Sequence, residues 1–490
     1  VARSEIMNAI AGEDVARVSA MLRPGASLNP AHGTTPLYRA AVGGCPEIVR
    51  MLIEYGADPD QPSHAAGEGL PLCAAACWDH AQTVRALLDG GADPDAREDG
   101  GWTALLWAAA LGNLESADEL LDFGADPDLA NDEGDTPLTL GARFGAYGVV
   151  WSLLEHGADP YLRGTGGASA LEIARRWAGA DLEAALREEV AAQLDDGVVL
   201  VSRGRARDGT RLVTVEGHDR DGGFAAARQC GHAAVVTVLE IATGVRPPAE
   251  ELIARVLPYR NVDEDDETWW AAVHALQRRH DDEALAAAAR LSGSDDPVDR
   301  EFGVDVLAGF GRDPWHAPWH ERSLAILRET AVHEDDPRVL EALLRALAHH
   351  ADERALPQVL RIVRRPGREP GVNDAMALAA VVPAGDEDGL AALVRLTRHP
   401  DGEVRDWATM GLASLPADTP EVREALAARL ADRDLDTVAE AARGLGTRHD
   451  RRAVAGIHRV LCESGDGDDY ARELAAEAAQ DLGIELGTDT

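Results

Sequence analysis

A chain of 490 residues, 45% apolar and 27% charged, has the length for two or three folded domains. Its formal net charge is −39, and all 47 basic residues are arginine, a balance that repels phosphate backbones and argues against nucleic acid as a partner. The lack of lysine excludes Schiff-base chemistry and a P-loop, and no run of about 18 apolar residues offers a membrane-spanning helix.

Val1-Ala2-Arg3-Ser4-Glu5 shows no charged-then-apolar export signal. The five cysteines are scattered and form no C-x-x-C pair, which argues against a disulfide framework or a thiolate zinc site and favours the cytoplasm. Arginine in place of lysine, with heavy use of Ala, Asp and Gly, points to a GC-rich bacterial source or, as a lesser alternative, an acid-rich halophile.

Residues 4–32 read as an atypical first unit of two short helices, marked by Ile6, Met7 and Ile10 and then by Val15, Val18, Met21 and Leu22. Gly25-Ala26-Ser27 follows them, and a fuller form of that phrase then recurs as Gly56-Ala57-Asp58-Pro59-Asp60, Gly91 to Asp95, Gly124 to Asp128 and Gly157 to Pro160. Each of these glycines stands 33 or 35 residues after the last. A second phrase keeps step with it: Thr35-Pro36-Leu37, Leu70-Pro71-Leu72, Thr103-Ala104-Leu105 and Thr136-Pro137-Leu138. Threonine caps a helix and proline suits its first turn; small residues such as Ala74-Ala75-Ala76 let neighbouring units approach. A second helix in each unit carries an aliphatic face, and glycine supplies its left-handed end. These units, at 33–64, 65–97, 98–130 and 131–163, with a sixth opening at Gly167 and Ala170-Leu171, resemble ankyrin repeats over about residues 4–180.

Residues 181–250 break the period and read as a connector. Leu182–Leu194 is helical; Val198–Val201 and Leu212–Val215 flank Asp208-Gly209 as a β-hairpin would. Ala225–Gln229, Gly231-His232 and Val235–Leu239 then form a helix–Gly–His–helix pattern faintly like an ankyrin unit, without the Thr-Pro-Leu opening. From 251 to 490 short helices follow turns such as Asp296-Pro297-Val298, Asp336-Pro337, Pro370-Gly371-Val372 and Asp401-Gly402-Glu403-Val404-Arg405. The pattern Asp401, Val404, Arg405, Ala408 resembles the short bacterial HEAT repeats of phycobilin-lyase-type proteins. The expected fold class is therefore predominantly all-α: two α-solenoids, ankyrin (1–180) and HEAT-like (251–490), joined by a small mixed connector.

Placing the ankyrin units in register aligns Trp78, Leu111, Phe144 and Trp177, one at the end of each first helix. In ankyrin repeats the corresponding position lies on the concave face and commonly contacts a partner. A stripe of large apolar groups there reads as a binding surface, or else as a surface covered by the connector. Arg143 and Arg176 precede two of its members, and Asp99, Trp102, Asp132 and Asp135 flank it on the turn tips.

Other constellations point to structure rather than chemistry. His316 and His320 have i, i+4 spacing but lack an evident third ligand, and Pro318 lies between them. Cys230 and His232, two residues apart, do not face each other on a helix. The acidic runs at 263–267 and 466–469 complete no EF-hand pattern. No catalytic residue, cofactor or metal is expected. The sequence reads as a protein-interaction scaffold for a basic or amphipathic protein partner. Its alternatives are an enzyme or small-ligand binder using a cleft of the HEAT-like half, and a neutraliser of a toxin or phage factor.

Overall fold

The structure, a computed structural model, describes residues 3–23, 28–194, 198–218, 223–256, 266–311, 317–464 and 469–485. Gly25-Ala26-Ser27, His316, residues 263–265 and residues 466–468 lie outside that description. The chain forms two compact units, Val1–Ala275 and Leu276–Thr490.

In the first unit, helices come in pairs: α1 (Arg3–Ala11) and α2 (Val15–Met21), α3 (Pro36–Gly43) and α4 (Pro46–Glu54), α5 (Pro71–Cys77) and α6 (Ala81–Asp89), α7 (Ala104–Leu111) and α8 (Leu114–Asp122), α9 (Pro137–Phe144) and α10 (Tyr147–Glu155). First helices stack on first helices and second on second, the packing of a solenoid. Thr35, Thr103 and Thr136 cap first helices by accepting from the backbone N–H groups of Tyr38, Leu106 and Thr139. Ala41, Ala75 and Ala109 are fully buried between neighbouring units.

The recurrent Gly-Ala-Asp-Pro-Asp phrase has two hydrogen-bonding tasks. Its first aspartate closes the local turn: Asp58, Asp93, Asp126 and Asp159 accept from the N–H two residues on, at 2.9–3.1 Å. Its last aspartate reaches the next unit, so that Asp60 accepts from Asp93 N at 3.1 Å, Asp95 from Asp126 N at 2.9 Å and Asp128 from Asp159 N at 2.8 Å. Asn29 makes the same bond to Asp58 N at 2.9 Å. One side chain per repeat thereby fixes the spacing of its successor.

The sixth unit is split. Its first helix, α11 (Ala170–Ala178), is followed by α12 (Leu182–Ala191) and an antiparallel meander of β1 (Val198–Arg205), β2 (Arg211–His218) and β3 (Gly223–Gln229). Only then comes α13 (His232–Ala242), which packs on α11 and α10 as a second helix does. Three bonds identify its place. His232 Nε2 meets Arg143 O at 3.2 Å, as His80 Nε2 meets Val42 O at 3.2 Å three units earlier. After α13, Gly244 N donates to Ile241 O and Val245 N to Glu240 O, the pattern of Gly56 N to Ile53 O and Ala57 N to Leu52 O. Residues 179–231, most of the segment expected as a connector, thus lie as an insertion between α11 and α13. The segment Ala225–Gln229, helical in the sequence reading, is strand: it pairs residue for residue with β2, whose Val213 and Val215 are buried with Ala226 against Leu186 and Val190 of α12. The hairpin at Asp208-Gly209 forms as expected, with Gly209 at φ 87° in the turn.

Helices α14 (Ala249–Val256) and α15 (Asp266–Gln277) follow. The second unit continues with α16 (Asp282–Ser292), α17 (Pro297–Ala308), α18 (Ala317–His333), α19 (Pro337–His350), α20 (Leu356–Val363), α21 (Val372–Val381), α22 (Glu387–Leu396), α23 (Gly402–Ser414), α24 (Pro420–Arg429), α25 (Leu435–Gly446), α26 (Ala453–Glu463) and α27 (Asp469–Asp481). The odd-numbered helices from α17 to α27 stack in a continuous row. Asp296, Asp336, Asp401 and Asp434 cap four of them. One clasp recurs: Arg300 pairs with Glu334 at 2.7 Å and donates to the carbonyls of Ser294 and Asp295, and Arg405 pairs with Asp432 at 2.8 Å and donates to those of His399 and Pro400. Each carboxylate also accepts from two backbone N–H groups of the following turn.

Candidate functional site

The stripe residues end first helices, where the backbone turns into the second helix of each unit. Gly112 and Gly145 take that turn at φ 72° and 82°; in the third unit Asp79 takes it at φ 54°. The turn therefore presents Trp78, Leu111 and Phe144 at one level in successive units.

The inserted meander folds back along these turns. Gln229, fully buried, donates to Gly112 O at 3.4 Å and to Asp208 Oδ2 at 3.3 Å. A Cβ on Gly145 would stand 2.5 Å from Gln229 O and from the His232 ring, so glycine is needed for that approach. At the hairpin tip, Arg207 Nη1 donates to Asp79 O at 2.5 Å. Between the finger and the repeats lies a groove of about 400 Å³, lined by Trp78, Leu111, Phe144, Leu212 and Ala227 together with Asp79, Glu115, Arg207 and Asp208.

Three of the four stripe residues share this groove, in unequal states. Trp78 is 60% exposed and Leu111 38%, whereas Phe144 is buried beneath the finger. Trp177 stands apart from the groove lining. It is half-buried, stacked on His232 at 5.8 Å, with the Arg228 guanidinium 5.4 Å above its ring. The finger thus covers the stripe at Phe144 and leaves Trp78 and Leu111 exposed.

The flanking residues separate similarly. Trp102 stacks on Trp107 at 4.3 Å, and Trp107 Nε1 donates to Glu98 at 2.7 Å. Asp135 is buried and takes both Nη atoms of Arg143 at 3.0 and 3.1 Å. Burial pushes its carboxyl up, but the bonds from Arg143 and Thr165 outweigh that and hold it below its ordinary range. This pair orders the turn and commits Arg143 to structure. Asp99, Asp132 and Arg176 are exposed. The finger residues Arg207 and Asp208, the sheet residue Leu212, and Asp79 and Glu115 complete the groove without having stood out in the sequence, because only the fold-back of the insertion brings them to the repeats.

Among the described residues no group of three or more His, Cys, Asp or Glu side chains is arranged to hold a metal ion, and no helix is long and apolar enough to cross a membrane. His320 pairs with Asp352 at 3.2 Å.

The family model of ankyrin repeats matches residues 71–163 in three copies, and a single-repeat match covers residues 32–64. Protein YibA of Escherichia coli strain K12 is 22% identical over 216 residues, which is 44% of this chain and 74% of YibA. The protein of the same name from strain O157:H7 matches to the same extent. Residues 32–64 and 71–163 of the N-terminal unit are ankyrin repeats.

Proposed function

We propose that the chain is a non-catalytic interaction scaffold that seats a basic or amphipathic partner protein on its ankyrin repeats, with Trp78 and Leu111 as anchors. One observation carries the reading: a 60% exposed tryptophan stands at the mouth of a groove whose walls come from stacked repeats and a docked finger. Exposed aromatic groups in partly enclosed apolar surroundings are where interfaces concentrate their energy, roughly 2 kcal/mol or more for a single hot spot. Rigid repeats keep the ordering cost of binding low, and the net charge of −39 favours encounter with a basic surface. The C-terminal helix pairs are read as HEAT-like repeats on the strength of the Arg300 and Arg405 clasps, and the five free cysteines fit a reducing cytoplasm.

A photo-crosslinking amino acid at Leu111 tests this in source cells. A basic protein trapped there, and not from Tyr55 outside the groove, is the expected result. Equal trapping from both positions, or trapping that persists after Trp78→Ala, would remove the groove from the interface.

A further inference from the structure

The finger fills one end of the groove with a cation, and the way it does so describes what else fits there. Asp79 is only 7% exposed. Its Oδ1 accepts from Ser116 N at 3.2 Å and from Ser116 Oγ at 2.9 Å, while Oδ2 faces Arg207 at 4.0 Å. Three carboxylates, of Asp79, Glu115 and Asp208, line the groove against the single guanidinium of Arg207. The Arg207 side chain is 61% exposed, and one hydrogen bond, to the Asp79 carbonyl, joins it to the repeats. An exposed arginine held by one bond and a 4.0 Å charge contact gives little net stabilisation and is readily displaced.

We propose that Arg207 is a built-in competitor. The groove takes a peptide segment carrying an arginine beside a bulky apolar side chain, and that segment binds by displacing the Arg207 guanidinium from Asp79. The incoming guanidinium takes the Asp79 carbonyl and the outward Oδ2, positions suited to its planar fork of donors. The neighbouring apolar side chain packs on Trp78 and Leu111. Excess negative charge selects arginine-bearing segments over acidic ones, and the finger sets the threshold a segment must exceed. This rests on the groove being the interaction site, and the test separates the two claims.

Random twelve-residue peptides displayed on phage are panned against the full chain, its Arg207→Ala and Arg207→Lys variants, and Arg207→Ala combined with Asp79→Asn or Trp78→Ala. Circular dichroism checks each fold; asparagine tolerates the positive φ at position 79. Arg207→Ala is expected to recover arginine-plus-aromatic or arginine-plus-leucine peptides about threefold better than the unaltered chain, the scale of one exposed ion pair. Arg207→Lys should fall between the two. Asp79→Asn should erase the arginine preference, and Trp78→Ala the recovery itself. Equal Trp78-dependent recovery with and without Arg207, or enrichment of peptides lacking arginine, overturns the competitor and leaves the groove standing. Absence of any Trp78-dependent recovery overturns both.

Discussion

Arg175 of α11 meets Glu240 of α13 at 2.7 Å, across 65 residues of chain. Glu240 is 1% exposed and takes Arg255 as well, at 2.6 and 3.0 Å. The pair ties together the two helices that the insertion separates. Removing the carboxylate costs Arg255, whose side chain is 16% exposed, its buried partner and leaves it Glu251 at 2.6 Å and Thr237 Oγ1 at 3.2 Å, so Glu240→Ala should destabilise the N-terminal unit by about 2 kcal/mol. Arg175→Ala should cost less than about 1 kcal/mol, since that side chain is 51% exposed. Urea unfolding of the two variants checks the order, and equal losses would mean that the buried carboxylate does not unite the split repeat.

The aspartate rungs respond to hydrogen-bonding capacity rather than charge. Asp95→Ala leaves Asp126 N without its acceptor and should cost about 1 kcal/mol, whereas Asp95→Asn keeps an acceptor oxygen and should cost a few tenths. Thermal unfolding distinguishes them; a loss in Asp95→Asn as large as in Asp95→Ala would make charge the agent.

Two histidines make the fold sensitive to mild acid. Burial lowers His232 from its ordinary 6.5 to about 4, with the nearby Arg228 charge adding to it. Its Nε2 faces the Arg143 carbonyl, so Nε2 carries the proton of a neutral ring. Burial lowers His350 likewise to about 4; its Nδ1 donates to Ala346 O at 2.8 Å and its Nε2 accepts from Ser323 Oγ at 2.7 Å. Since folding depresses both values, their stabilisation is complete above the unfolded value of about 6.5 and is lost as pH falls from there towards 4. The loss at pH 5 is on the order of 1–2 kcal/mol for each residue. Urea midpoints between pH 7.5 and 5 should fall, and the double variant His232→Gln, His350→Gln should flatten the slope. An unchanged slope would place the acid sensitivity elsewhere.

Position along the stripe separates stability from binding. Phe144 is 7% exposed under the finger, and Phe144→Ala should cost about 3 kcal/mol. Trp78→Ala, at 60% exposure, should change stability by no more than about 0.5 kcal/mol while removing partner capture. Thermal shift read beside crosslinking yield shows whether the two effects part; a large loss of stability in Trp78→Ala would mark it as core.

The repeats were legible because their signals are local: a capping threonine, a proline and a turn glycine each act within a few residues. The same ruler aligned Trp78, Leu111 and Phe144, which the structure brings to one groove. The split sixth unit breaks the period, since α13, its second helix, begins 54 residues after α11 closes, with a helix and three strands between them. Its His232 repeats the role of His80, yet the alanines of the segment before it favour helix. Pairing with β2 overrides that local preference. Asp79 and Arg207 meet across 128 residues, a distance over which no periodic pattern carries information.

The Asp60, Asp95 and Asp128 rungs join side chain to main chain, so no rung depends on what its neighbour's side chain is. The array can therefore grow or shrink by a whole repeat at any of these joints and still find its acceptor waiting. A deletion of a few residues enjoys no such tolerance, because it carries the aspartate past its amide and shears one joint open. Changes of length in whole repeats therefore leave every joint intact, and the finger's reach from the sixth unit to Asp79 limits how many repeats can be inserted between them.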